Sequence, residues 1–381
     1  MMRIILLAVM MVMASPMVLS SVVMAKPLIG TEGNSLNPQV ITRLKSPWAL
    51  RFLDAGHMLI TTKSGSMFLV TTQGQTTEIQ GLPPVFEGGQ GGLGDVMPHP
   101  DFTQNRLVYF SFVASNDNGK TRFARVMRGQ LTTGSDARLT NLEVIWDQTP
   151  ARTGRGHFSH RLAFGPEGTA VAGDLFITSG DRQEQTPAQD WQSSLGKIIR
   201  LHDDGSIPKD NPFQDKGDLA KTFWTLGHRN ALGMSFDGKG QLWAHEMGPR
   251  HGDELNLITK GENYGWPLVS EGRQYSGAQI PSHDTRPEFT PPKAFWVPTI
   301  APSGLIFYDG DEFPAWRGHA FIGGLKSRAL IRVAIDGNHA VEAERFEWAK
   351  RVRDVAMAPD GSIWVIEDGN NGRLIRFTNP E

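Results

Sequence analysis

One phrase recurs six times along this chain and limits its fold more than any other feature. An apolar strand is followed by a Gly, Asp or Pro turn, a second strand with an aromatic residue, another turn and a third strand. The phrase runs through Trp48–Val70, Leu93–Phe112, Arg161–Leu201, Gly233–Leu257, Gly304–Val333 and Asp354–Phe377. Short β-type runs broken by turn residues, with no long 3.6-residue period, point to an all-β chain. A lone sheet cannot bury both faces. Units spaced roughly 45 to 70 residues apart can do so by stacking radially, which predicts a six-bladed β-propeller with four-stranded antiparallel blades. A two-sheet sandwich would explain the turns but not six parallel phrases. Most tryptophans and phenylalanines are then expected to pack between blades. No linker divides residues 26–381, so one propeller domain is expected there, with a long polar loop at Gln274–Pro292.

Residues 1–25 read differently. Arg3 is followed by an apolar run from Ile4 to Met24, and Val23-Met24-Ala25 offers small residues before a cut. This is the pattern of a secretory signal peptide, so a periplasmic or secreted protein is expected, with no membrane span once the leader is removed. The absence of cysteine suits an oxidising compartment and excludes disulfides, thiolate metal sites and a cysteine nucleophile. A formal net charge of −2 gives no footprint for nucleic acid.

Turns at one end of a propeller converge on its axis, so chemistry is expected there. The polar turns are Glu87–Gly94, Gly154–Arg161, Gly227–Asn230, Glu246–Glu254, Gly324–Arg328 and Arg351–Asp354, with Ser179-Gly180-Asp181 beside them. Arg229, Lys326, Arg351 and Arg353 can converge on an anion with several carboxylates. His157 with a carboxylate suits general-base work, because imidazole titrates near working pH. The Gly-rich 88–94 segment lacks the lysine of a phosphate loop. His157 and His160 lack a third ligand for zinc. Glu246, Asp253 and Glu254, with the Gly248 and Pro249 carbonyls, offer hard oxygens suited to calcium. From these residues alone, a calcium-dependent lactonase or esterase and a non-catalytic carbohydrate-binding propeller both stay open beside a redox enzyme.

Several of these segments, in the same order, resemble the soluble pyrroloquinoline quinone (PQQ)-dependent sugar dehydrogenases, particularly the aldose sugar dehydrogenase branch. The resemblance spans about residues 38–378. It is carried by Gly227-His-Arg-Asn230, Gly248-Pro249 with Asp253-Glu254, Lys260-Gly-Glu-Asn-Tyr264-Gly-Trp-Pro267, Pro302-Ser-Gly304 and Arg351-Val-Arg-Asp354. It implies a six-bladed propeller in which His157 is the catalytic base and Asp181 orients it. It further implies that Gln90, Arg229, Asn230, Lys326, Arg351 and Arg353 hold PQQ, with Tyr275 and Thr299 as further wall positions. Gly248 and Pro249 would bind one calcium through their carbonyls. Glu254 and the Tyr264 carbonyl would bind a second. The implied reaction is oxidation of an aldose at C1 to its lactone. Electrons would pass to an external acceptor (a quinone, a cytochrome or a dye), and the protein would be a monomer or homodimer. The chain departs from the family pattern at His160, where glycine is usual, and at Ala231, where proline is usual.

Overall fold

A computed structural model describes residues 26–380. The leader expected at residues 1–25 lies outside the described residues. The six phrases are six antiparallel sheets arranged as the blades of a propeller. Their inner strands are Pro47–Phe52, Leu93–Pro98, Ser159–Phe164, Ala231–Phe236, Pro302–Phe307 and Val352–Met357. Consecutive inner strands adjoin one another around the axis. In five blades the outermost strand follows in sequence: Thr76–Glu78, Arg138–Asp147, Phe223–Leu226, Ala294–Trp296 and His339–Glu347. The sixth closes differently. Ser35–Leu44, from the start of the chain, pairs antiparallel with Gly372–Thr378 and supplies its outer strand. The ring is thus sealed by joining the two ends of the domain, which leaves no open edge between first and last blade.

The core is distributed as the ring requires. Six hydrophobic clusters among the described residues each draw on two adjacent blades. Trp48, Met67 and Ile79 pack with Val96, Phe110 and Leu131 across the first seam. Leu50, Ile60 and Val70 pack with Trp364, Ile366 and Leu374 across the last. Four further seams are filled in the same way. The expectation that aromatics pack between blades holds for Trp48, Trp243, Trp316 and Trp364, all buried in seams.

Two features prepare the axial end. Every inner strand carries a register irregularity within its first residues, between Pro47/Ala49, Leu93/Val96, Ser159/Leu162, Ala231/Gly233, Ser303/Leu305 and Val352/Asp354. A bulge of this kind bends a strand and re-aims side chains. A buried charge network then ties blades across the axis. Asp354 accepts from the Leu50 amide, Arg51 and Arg161, while Asp95 accepts from the Leu162 amide and Arg161. All four of these charged side chains are largely enclosed, and each has an opposite charge beside it, as burial demands. The stretch between Ile258 and Ala294 carries no strand, only a 3-10 turn at His283–Thr285, in keeping with the expected loop. It is not simply solvated, because Tyr264, Trp266 and Ile280 are buried in it. No helix among the described residues is long and apolar enough to cross a membrane.

Candidate active site

Two sets of connections meet at one end of the ring: the starts of the inner strands and the turns between second and third strands. They enclose a cavity of ≈ 430 Å³ lined by Trp48, Lys63, Gln90, Phe158, Ser159, His160, Asn230, Met247, Arg351, Arg353 and Asp368, among others. Of the residues expected from sequence, Gln90, Asn230, Arg351 and Arg353 therefore share one cavity.

His157 stands behind this wall, between Gln90 and Phe158. Its amide donates to Gln90 Oε1 at 2.7 Å, and its ring Nδ1 lies 2.7 Å from Asp181 Oδ1. Asp181 is fully buried, and its hydrogen bonds to His157 and the Gln183 amide hold it ionised despite the opposing cost of burial. A carboxylate only accepts, so Nδ1 carries the proton and Nε2 carries the lone pair. Nε2 has no hydrogen-bond partner among the described residues. Burial, with Arg229 and Arg182 nearby, pushes the imidazole below its ordinary range, while Asp181 works against that shift. The resting ring is a neutral base with one free lone pair. His157, Ser159 and His160 all have positive φ (47°, 59° and 56°), a conformation that non-glycine residues rarely adopt. The inner strand is thus bent sharply where it presents the imidazole.

The cationic wall is partly neutralised. Arg351 Nε lies 2.7 Å from Asp368 Oδ2, and Arg353 Nη2 lies 2.8 Å from Asp368 Oδ1. Sequence reading missed Asp368 and Lys63, which donates to the Gly89 carbonyl beside Gln90. A positional signal for Asp368 existed. Asp181, Glu246 and Asp368 all stand at the end of the second strand of their blades.

A second, smaller group adjoins the first through Met247, which borders both spaces. It surrounds a chamber of ≈ 10 Å³ lined by Arg229, Glu246, Gly248, Glu254, Tyr264 and Trp266, among others. The two expected calcium sites thus border one space, about large enough for one water or ion. Glu246 is consumed by the Gly227–Asn230 turn: it accepts from His228 Nδ1 and from the Arg229 amide. Glu254 is less satisfied. Burial and the neighbouring Glu246 charge push its carboxyl well up, and Asn256 supplies only a long contact at 3.3 Å. The Gly248 carbonyl accepts from Arg229 Nη1 at 2.8 Å. The Tyr264 carbonyl accepts from His283 Nε2 at 3.2 Å. Pro249 is buried in the same turn, away from the chamber lining. Among the described residues, no three His, Asp or Glu side chains surround a single point.

The remaining expected residues lie at the edge. Tyr275 is exposed, with its hydroxyl 3.5 Å from Arg229 Nη2. Thr299 donates to Asp253 Oδ2, which also accepts from the Ile300 and Ala301 amides, while Asp253 Oδ1 accepts from the Gly248 amide. Asp253 therefore ties two turns together. Lys326 is exposed on the turn that bonds back to Ile300.

Whether this region suits an acidic quinone can be tested on its polar atoms. Asn230 Nδ2 and Arg229 Nε are buried donors without partners among the described residues. Together with Lys63, Arg351 and Arg353 they leave a surplus of donors, which fits a ligand rich in carboxylate and carbonyl oxygens. Buried Glu254, short of hydrogen-bond partners at an ion-sized chamber, offers a hard oxygen that suits a hard cation.

A six-bladed propeller thus carries, at one end of its axis, a buried His–Asp pair behind a cation-rimmed cavity. The Glucose / Sorbosone dehydrogenase family profile matches residues 44–376, and the chain belongs to that family. It is 36% identical to the aldose sugar dehydrogenase YliI of Escherichia coli, over 90% of this chain and 93% of that protein. It is 39% identical to the uncharacterised protein slr1608 of Synechocystis, covering 89% and 85%. Among solved structures, the PQQ-bound aldose sugar dehydrogenase of Streptomyces coelicolor superposes with a TM-score of 0.74 at 27% identity, covering 93% of this chain and 99% of that one.

Proposed function

We propose that this protein is a PQQ- and calcium-dependent aldose dehydrogenase that oxidises the sugar at C1 to the lactone and passes electrons to an external acceptor. The observation that carries this reading is the buried His157–Asp181 pair, its Nε2 unpartnered among the described residues, set between Gln90 and Phe158, both of which line a donor-rich axial cavity. Arg351, Arg353, Arg229, Asn230, Gln90 and Lys326 would hold PQQ, with Tyr275 and Thr299 further out. Gly248, Pro249, Glu254 and Tyr264 would hold calcium. When bound, PQQ supplies an ortho-quinone as two-electron acceptor and calcium a Lewis acid.

The chain's own residues do the rest. His157 Nε2 takes the proton of the anomeric hydroxyl, which raises electron density at C1. Asp181 keeps the ring in the tautomer that leaves Nε2 free and stabilises the imidazolium formed, as an orienting carboxylate does. Such a base contributes about 10²–10⁴-fold, and the fixed donors supply orientation without reorganising. In the cell the enzyme would work in the periplasm or outside, once residues 1–25 are removed.

The test is optical. Protein loaded with PQQ and calcium should bleach a redox dye when an aldose is added, and His157→Ala with cofactor still bound should lose nearly all turnover. Lactone hydrolysis without dye bleaching would replace this reading with that of a propeller lactonase. Failure to bind PQQ in calcium buffer would leave only a binding protein.

A further inference from the structure

Asp181 is completely buried, so its orientation depends on what it touches. Oδ1 accepts from His157 Nδ1 at 2.7 Å and from the Gln183 amide at 2.8 Å. Oδ2 accepts from the indole Nε1 of Trp266 at 2.8 Å. The first two partners come from the third blade, as Asp181 does. Trp266 comes from the long segment of the fourth blade. Its bond therefore ties the carboxylate to a second blade.

Trp266 is itself held firmly. Its amide donates to the Gly227 carbonyl at 3.0 Å, and its carbonyl accepts from Gln189 Nε2 at 2.8 Å. Gln189 and Asn263 bond each other in both directions. Gly265, at φ +84°, sits where a Cβ would strike Val269 and Phe289, so the approach of the backbone to Trp266 admits little else. The Arg229 guanidinium lies 5.3 Å over the indole ring. The face of one side chain thus meets the Arg229 guanidinium, while its edge meets the carboxylate that bonds the base.

We propose that Trp266 is a positioning residue of the His157–Asp181 pair, its indole N–H fixing Oδ2 so that Oδ1 is held on His157 Nδ1 and Nε2 stays unpaired. The inference rests on His157 being the base of the proposed reaction. An indole suits this task because it donates and never accepts, so the bond has one polarity at every working pH. The charged groups facing His157 are Asp181, Arg229 and Arg182, and those facing Asp181 are His157 and Arg229. Removing the indole donor leaves the carboxylate with fewer bonds and makes it a stronger partner for the imidazolium.

Trp266→Phe keeps a ring and deletes the donor. The expected result is a fall in kcat of about 10- to 100-fold, the size of a lost hydrogen bond to a buried charge. The acid limb of the pH profile should move up by about one unit, because the base then stays protonated to higher pH. In cofactor-free protein the His157 imidazole, followed by NMR, should titrate higher by a similar amount. A folded Trp266→Phe protein with limb and imidazole both at their wild-type positions would overturn the proposal. Should that variant fail to fold, the wild-type Trp266 indole N–H resonance decides. It should shift with the His157 titration, and a pH-invariant resonance overturns the proposal. Failure of the underlying reading looks different: His157→Ala would then retain turnover whatever Trp266 does.

Discussion

His157 and His160 stand three residues apart on one bulged stretch of chain, both with positive φ and both buried. Burial pushes both imidazoles down. They differ in their partner. His157 faces a carboxylate that can stabilise its protonated form. His160 Nδ1 faces the Ser111 hydroxyl at 2.8 Å. That hydroxyl already donates to the His160 carbonyl and accepts from the Asp95 amide. Its one proton is spent, so it must accept from His160 Nδ1–H. The ring is stacked on Trp48 at 5.5 Å between centroids, and its pKa falls to about 3, with burial first and Arg161 second among the causes. Burial therefore sets the baseline for an imidazole in this site, and the partner decides whether it can ever take a proton.

The largest expected effect tests that contrast directly. His157→Ala should cost about 10²–10⁴-fold in kcat, measured as dye reduction by the loaded enzyme. His160→Gln should cost no more than about tenfold, the scale of one hydrogen bond. Equal losses in the two variants would break the comparison.

A smaller effect comes from making His157 resemble its neighbour. Asp181→Asn supplies a neutral partner in place of a charged one and allows the wrong tautomer at Nε2. kcat should fall by about 10²-fold, within the range of general-base effects, while thermal stability changes little relative to that loss. A variant with near wild-type kcat would show that the carboxylate is not what separates the two histidines.

How far the sequence reaches is visible in the same residues. Three of the four strands per blade, and all six blades, follow from apolar runs and turn residues, because period and punctuation are local signals. The outer strands are harder. Arg138–Asp147 and His339–Glu347 alternate exposed polar residues, and Ser35–Leu44 pairs with Gly372–Thr378 across the whole chain, which no local pattern announces. At the site, His157, Asp181, Gln90 and Arg353 lie in turns whose polarity exceeds what a turn needs. Asp368 escaped notice because its role is set by two arginines from a different turn of the same blade. Trp266 sits inside the Lys260–Pro267 segment, yet its bond to Asp181 joins two blades. Hydrogen bonds between distant segments carry no sequence signature of their own.

The smallest effect concerns stability. A histidine with a pKa of about 3 when folded and near 6.5 when unfolded takes up a proton on unfolding throughout that interval. The unfolded chain then binds more protons, so stability is fully present above about pH 6.5 and declines as pH falls below it. Each such group contributes about 1.4 kcal/mol per pH unit. His245, lowered to about 4 mainly by burial, adds to this slope. Glu254, raised by burial and Glu246, opposes it. Comparing wild type with His160→Gln cancels both. Urea unfolding of the cofactor-free proteins at pH 5 and pH 6 should give slopes that differ by about one proton, the variant being the flatter. Identical slopes would mean that His160 is not held neutral in the fold, and would remove the physical distinction between it and His157.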